Sequence, residues 1–196
     1  MKKLLTFSTF LIIIFLNTSK AYSIEADIFV QSTVNRASEA LSNKFSKKEK
    51  MLKLRGIANE TVDIKGIGFY TLGAYRKNIS DDQIKQYENL FEQYFLKSFV
   101  SRLAEYSNPE IEVISKKKLN KNYTMVSSIL VSTEQRPEVK IDWRVYTKNV
   151  NNPLIRDLII EGLSLARTQK EEFSSIIESN DGDINALFAT LKEFIK

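Results

Sequence analysis

The chain has 196 residues, with 29 Lys and Arg against 24 Asp and Glu, no histidine and no cysteine. Without His and Cys, Ser-His-Asp and Cys-His triads, disulfides and zinc sites of the usual ligands are all impossible. The formal charge of +5 is far from the strong, clustered positive field of a nucleic-acid binder, and no nucleophile elbow or Walker phosphate loop is present.

Lys2 and Lys3 precede an almost unbroken apolar run from Leu4 to Leu16, with the small residues Ala21 and Ser23 after it. This is the pattern of a secretory signal peptide over residues 1–23; an uncleaved anchor is the alternative, although the run is short for a membrane span. No cysteine follows that would carry a lipid anchor. Losing Lys2, Lys3 and Lys20 with the leader takes the formal charge from +5 to +2. Residues 24–196 are expected to form one domain, held by an ordinary hydrophobic core. Their near-neutral balance favours a lipid, protein or uncharged partner and argues against nucleic acid.

Ile28 to Leu41 carries Val30, Val34, Ala37 and Leu41 at helical spacing, and a second helix is expected from Lys47 to Leu54, ending near Arg55-Gly56. Asp63 to Tyr75 is apolar, with Phe69, Leu72 and Tyr75 on one stripe. Its glycines, Gly66, Gly68 and Gly73, do not have dinucleotide-loop spacing. Ser80-Asp81-Asp82-Gln83 is a helix start: Ser80 can cap Gln83 while Gln83 reaches back, and the aspartates complement the dipole. That helix is expected to run to about Tyr106, carrying Ile84, Tyr87, Phe91, Tyr94, Phe95 and Phe99, until Ser107-Asn108-Pro109 stops it.

Strands follow. Glu110 to Ile114 is the first, and Lys116 to Asn122 reads as a lysine-rich turn, solvated or against anionic lipid. Tyr123 to Thr133 is the second, with Tyr123, Met125, Ile129 and Val131 assigned to one face. In the third, Val139, Ile141, Trp143 and Val145 alternate with Lys140, Asp142, Arg144 and Tyr146. Asn149 to Pro153 turns into Leu154–Glu161, where Leu154, Arg156, Leu158 and Ile160 alternate with Ile155, Asp157 and Ile159; either parity can face inward. After Gly162, Ser164 is placed to cap a helix with Leu165, Phe173, Ile176 and Ile177 on its stripe. Asp183 starts a last helix with Ile184, Leu187, Phe188, Leu191 and Ile195 inward. An antiparallel meander of about four strands with helices on one side is an α+β domain.

Several of these segments share one family pattern. The strand bearing Asp157-x-x-x-Glu161-Gly162-x-Ser164, followed by a helix with Glu172-Phe173, resembles the MlaC family of periplasmic phospholipid-binding proteins, also called toluene-tolerance auxiliary proteins. Val62-Asp63-x-x-Gly66 with Leu72-Gly73-x-Tyr75-Arg76 is similar to the family's approach to its central helix. The helix motif Ser80-x-x-Gln83-x-x-x-Tyr87-x-x-x-Phe91-x-x-Tyr94-Phe95 and the strand Arg136-Pro137-x-Val139-x-Ile141-Asp142-Trp143 match in the same order. Each motif is soft alone, and the ordered set over roughly 57–194 is stronger.

The resemblance implies a curved antiparallel sheet whose helices enclose an apolar cavity, an MlaC-like or NTF2-like arrangement. It implies a soluble periplasmic carrier, without cofactor or catalytic residue, that encloses phospholipid acyl chains. Its partners would be an MlaA-like outer-membrane lipoprotein–porin complex and an inner-membrane ABC-type lipid transporter with an MlaD-like ring. Outer-membrane lipid asymmetry would be maintained by this traffic. The lining expected from helices and sheet is Phe69, Leu72, Tyr75, Phe91, Tyr94, Phe95, Phe99, Ile129, Val131, Ile141, Trp143, Val145, Leu158, Ile160 and Leu163, with Arg76 toward the head group. The long aromatic helix is expected to cover the sheet, held off it by its rings. Taken singly, each of these apolar residues reads more readily as plain core than as lining, since cores and pockets share composition. A polycyclic, hopanoid-like lipid, an isomerase-like enzyme using Asp142 or Asp157 as base, and a non-lipid periplasmic adaptor are the alternatives.

Overall fold

The computed structural model describes residues 24–134 and 136–196; the expected signal peptide lies outside the described residues. The chain order is α1 (Ala26–Ala40), α2 (Lys47–Thr61), α3 (Ile64–Leu72), a short 3-10 turn (Gly73–Lys77) and α4 (Asp81–Leu103). Then come β1 (Ile111–Asn120), β2 (Tyr123–Leu130), β3 (Val139–Tyr146), β4 (Leu154–Ile160), β5 (Leu163–Ser164), α5 (Leu165–Glu178) and α6 (Ile184–Ile195). The α+β class holds, with one open antiparallel sheet in the order β1-β2-β3-β4-β5, one short strand more than expected.

Helix starts follow side-chain chemistry. Ser80 Oγ accepts from the Gln83 N–H at 3.2 Å while Gln83 Oε1 accepts from the Ser80 N–H at 3.0 Å, and Ser46 with Glu49 repeats this reciprocal cap on α2. Ser164 and Asp183 cap α5 and α6. α2 does not stop at Gly56 but runs to Thr61. A mid-helix glycine costs about 1 kcal/mol, and the buried stripe Leu54, Ala58 and Thr61 outweighs it. α3 ends at Gly73, whose φ of +59° is the left-handed region.

β2 shows the opposite parity to the sequence expectation: Thr124, Val126, Ser128 and Leu130 are buried, and Tyr123, Met125, Ser127 and Ile129 are half-buried on the other face. The register explains this. Val126 lies opposite Trp143 and Ser128 opposite Ile141, whereas Met125 and Ile129 oppose Arg144 and Lys140. Ser128 tolerates complete burial because its Oγ donates to the Ile141 carbonyl (3.1 Å) and accepts the Trp143 indole N–H (2.8 Å). β1 is likewise longer than expected: Lys116, Lys117 and Lys118, read as part of a turn, lie in its second half, solvated along the sheet edge, and only Lys121 stays in the turn.

The cover of the sheet is also different. α1, not the aromatic α4, lies on β1 and β2, packing Ala26, Val30 and Val34 against Val126, Leu130, Ile141, Trp143, Val145 and Ile155. α3, α4, α5 and α6 form a separate bundle around Leu72, Tyr87, Phe91, Phe173, Ile177, Leu187 and Phe188. A third, smaller cluster joins the ends of α1, α2 and α4 through Leu41, Leu54, Val100 and Ala104.

Candidate functional site

The three apolar clusters share no buried residue. A domain of this size usually has one contiguous core, so the boundary between them is where an apolar guest could lie. Two joints bracket it. At one end the small α1–α2–α4 cluster ties the sheet's cover helix to the bundle. At the other, Val62 packs against both large clusters and forms a parallel bridge with Ile155, and the Asp63 N–H donates to the Ile155 carbonyl at 2.9 Å.

A β-bulge builds the second joint. Arg144 pairs with Asp157 and Val145 with Ile155, leaving Arg156 as the extra residue. The bulge also resolves the parity of β4. Leu158 and Ile160 oppose Trp143 and Ile141, while Ile155 opposes Val145, so residues of both parities meet the same apolar face. Arg156 is turned the other way: its Nε donates to Asp63 Oδ2 (2.6 Å), its Nη1 to Tyr123 Oη (2.7 Å), and its guanidinium lies 3.8 Å from the Tyr146 ring centroid. Hydrogen bonds to Tyr123 and Asp63 hold its pKa above the ordinary value against the cost of burial.

β4 is clamped to α5 by Asp157. Its buried carboxylate accepts from Ser164 Oγ (2.6 Å) and the Ala166 N–H (3.0 Å), with Arg144 at 3.5 Å. Asp142 accepts from Ser127 Oγ (2.6 Å) and pairs with Lys140 at 3.3 Å. Both carboxylates considered as catalytic bases are thus engaged in joining elements of the fold.

The bundle side is aromatic and closed. Gly68 sits under Phe91: a Cβ there would lie 2.9 Å from Phe91 Cδ1. Gly68 therefore admits a ring, whereas a Cβ on Gly66 would run into the Asp63 carboxylate that caps the helix. Tyr87 stacks on Phe91 and Phe188, and Phe173 meets Tyr87 and Phe91 edge-on. Tyr87 Oη lies 2.8 Å from Thr71 Oγ1, and burial raises the phenol's pKa. Further along α4 two rings are only half-buried. Phe95 still packs against Phe91 and the ring cluster, and Phe99 stacks on Phe95 at 5.3 Å just before Val100 enters the small cluster.

A family model described as "MlaC protein" matches residues 31–193. The chain belongs to the MlaC family. Its fold is shared by a phospholipid-binding protein from Ralstonia solanacearum solved in complex with a phospholipid. The TM-score is 0.73 at 19% sequence identity, covering 88% of this chain and 97% of that one.

In this MlaC-family protein the residues named from the sequence divide by location. Leu72 and Phe91 lie wholly inside the bundle, and Val145 wholly inside the sheet cluster. Phe69, Tyr75 and Tyr94 are half-buried around the bundle; Tyr94 Oη donates to Gln169 Oε1 at 2.8 Å and Tyr75 Oη to Glu178 Oε1 at 3.4 Å. Ile141, Trp143, Leu158 and Ile160 share one face of β3–β4. Ile129 faces the other side, across from Lys140, and Val131 follows just past the strand. Leu163 is 59% exposed on the edge strand β5. Arg76 is exposed, with Nη1 donating to the Phe69 carbonyl at 3.3 Å.

Two open depressions lie along the helices. A depression of about 480 Å³ is lined by Tyr70, Arg167, Lys170 and Glu178 among others, and one of about 470 Å³ runs along α1 from Ile28 to Glu39. Both are open, and neither includes any residue of the expected apolar lining. The boundary between the separately packed clusters is the candidate apolar site. Sequence reasoning missed Val62, Asp63, Arg156 and Ser128. The visible signals were the family motif that holds Val62-Asp63 and the pair Ser127-Ser128, polar in the middle of a strand.

Proposed function

We propose that this protein is a soluble periplasmic carrier that holds the acyl chains of a phospholipid in the seam between the β3–β4 face and α4. The observation that supports this best is membership of the MlaC family together with a fold shared with a phospholipid-bound protein. Phe95 and Phe99 on α4, with Ile141, Trp143, Leu158 and Ile160 on the sheet, are the proposed walls. Burying an acyl chain is worth about 0.8 kcal/mol per methylene, so two ordinary chains amount to roughly 20–25 kcal/mol. A guest of that hydrophobicity must be enclosed, and the clusters would separate along the seam to admit it.

Transfer from a bilayer to such a site leaves no tails in water at either end and is nearly neutral. The carrier then needs no catalysis, and Asp142 and Asp157 remain structural. Direction would come from its partners, an MlaA-like lipoprotein–porin complex at the outer membrane and an MlaD-like ring of an ABC-type transporter at the inner one. This traffic would maintain outer-membrane asymmetry.

The test is to purify the protein from cells without detergent, extract it with organic solvent and identify the lipid by mass spectrometry. Stoichiometric phospholipid is expected, and a blank from well-folded protein refutes the reading; a polycyclic lipid in its place would change the cargo. Phe99→Asp should lower occupancy at unchanged helix content, whereas Leu165→Asp, on the exposed side of α5, should not.

A further inference from the structure

One end of the sheet is basic and greasy at once. The end of β1 carries Lys117 and Lys118 and the β1–β2 turn carries Lys121, all exposed, and the Asn122 carbonyl accepts the Thr147 N–H at 2.8 Å, which brings Lys148 and Val150 of the β3–β4 loop alongside. Among the described residues these four lysines make no ion pair. The carboxylates on this flank, Glu25 and Asp27, are both taken by Lys116, at 2.7 and 2.8 Å. Two large apolar side chains stand among the free lysines: Leu119 and Val150, each 44% exposed. Leu119 is there because of a bulge, falling between the pairs Lys118–Thr124 and Asn120–Tyr123.

Lysines on an edge strand ordinarily prevent strand-to-strand aggregation. That role explains charge at the edge, but not a bulge that turns a leucine to solvent beside a second exposed apolar residue on the neighbouring loop. Cations around projecting apolar side chains are the chemistry of the interface of an anionic bilayer, where the ammonium groups meet phosphates and the apolar groups enter below them. We propose that this end of the sheet docks tip-first on anionic membrane surfaces. The inference rests on the charge and exposure of the two loops, independently of what the seam carries.

The experiment is flotation of the purified protein with vesicles of phosphatidylcholine alone and of phosphatidylcholine and phosphatidylglycerol in equal parts. Binding is expected only to the mixed vesicles and should weaken as salt rises. Lys118→Gln and Lys121→Gln should each lower partitioning about fivefold, since a lysine near such a surface contributes about that factor. Leu119→Ser should lower it at low and high salt alike. Equal binding to both vesicles, or unchanged partitioning of all three variants, overturns the proposal. So do variants that oligomerise with vesicle affinity intact, which would leave edge protection as the lysines' role, and binding to an acidic protein without vesicle binding. Lipid content of the same samples, measured by extraction, reads cargo separately, so failure of docking and failure of the carrier reading are distinguishable.

Discussion

The bundle of α3–α6 and the sheet with its cover helix α1 use the same kinds of residue to opposite ends. In the bundle, Tyr87, Phe91, Phe173 and Phe188 interlock around the notch left by Gly68, and the core is complete within itself. On the sheet, α1 covers β1 and β2, while the apolar side of β3–β4 ends in the half-buried Leu158 and Ile160. Aromatic content therefore does not mark a binding wall. The proposed walls differ from the bundle core in including the half-buried Phe95, Phe99, Leu158 and Ile160.

The contrast can be broken most severely in the bundle. Phe91→Ala should cost about 3–5 kcal/mol, as for other buried phenylalanines, seen as a lower denaturation midpoint. Lipid content measured well below that midpoint should be unchanged. Loss of lipid from a folded Phe91→Ala protein would make the bundle core part of the site.

On the sheet side a smaller effect is expected from Ser128→Ala. It strips the Trp143 indole N–H of its acceptor in a buried setting, at about 1–3 kcal/mol. Because Trp143 is a proposed wall, lipid occupancy should fall along with stability, and Trp143 fluorescence should shift. Stability loss at constant occupancy would separate Trp143 from the guest.

The mildest distinction is titration. Burial raises the pKa of Tyr87 and Tyr94, both on α4, above the ordinary phenol value. A raised folded-state pKa contributes stability that is fully present below the unfolded value and lost as pH rises through the folded one. Alkaline unfolding followed by tyrosinate absorbance should show these phenols ionising only as the bundle opens. Ionisation of every tyrosine with helicity intact would contradict the closed bundle.

Much of the local structure was legible in the chain. Ser80 with Gln83, Ser164 and Asp183 announce helix starts because their side chains answer amides within three residues. The alternation of β3 and the inward stripe of α6, Ile184, Leu187, Phe188 and Leu191, are periodic and appear as expected. Leu165 is less informative: it sits on the expected stripe of α5 but is 36% exposed, and Ala166 is buried in its place. The lysine run was misread because a solvated edge strand and a polar turn have the same composition.

By itself, then, the sequence determined the element types, the α+β class and the family, because caps and periodicities act between residues close along the chain. Tertiary structure decided the rest. The parity of β2 depends on which residues of β3 stand opposite, and the mixed parity of β4 on a bulge at Arg156 that only pairing reveals. Whether α1 or α4 covers the sheet depends on contacts between segments distant in the chain. The candidate site, a seam between separately packed clusters, exists only once those contacts are made.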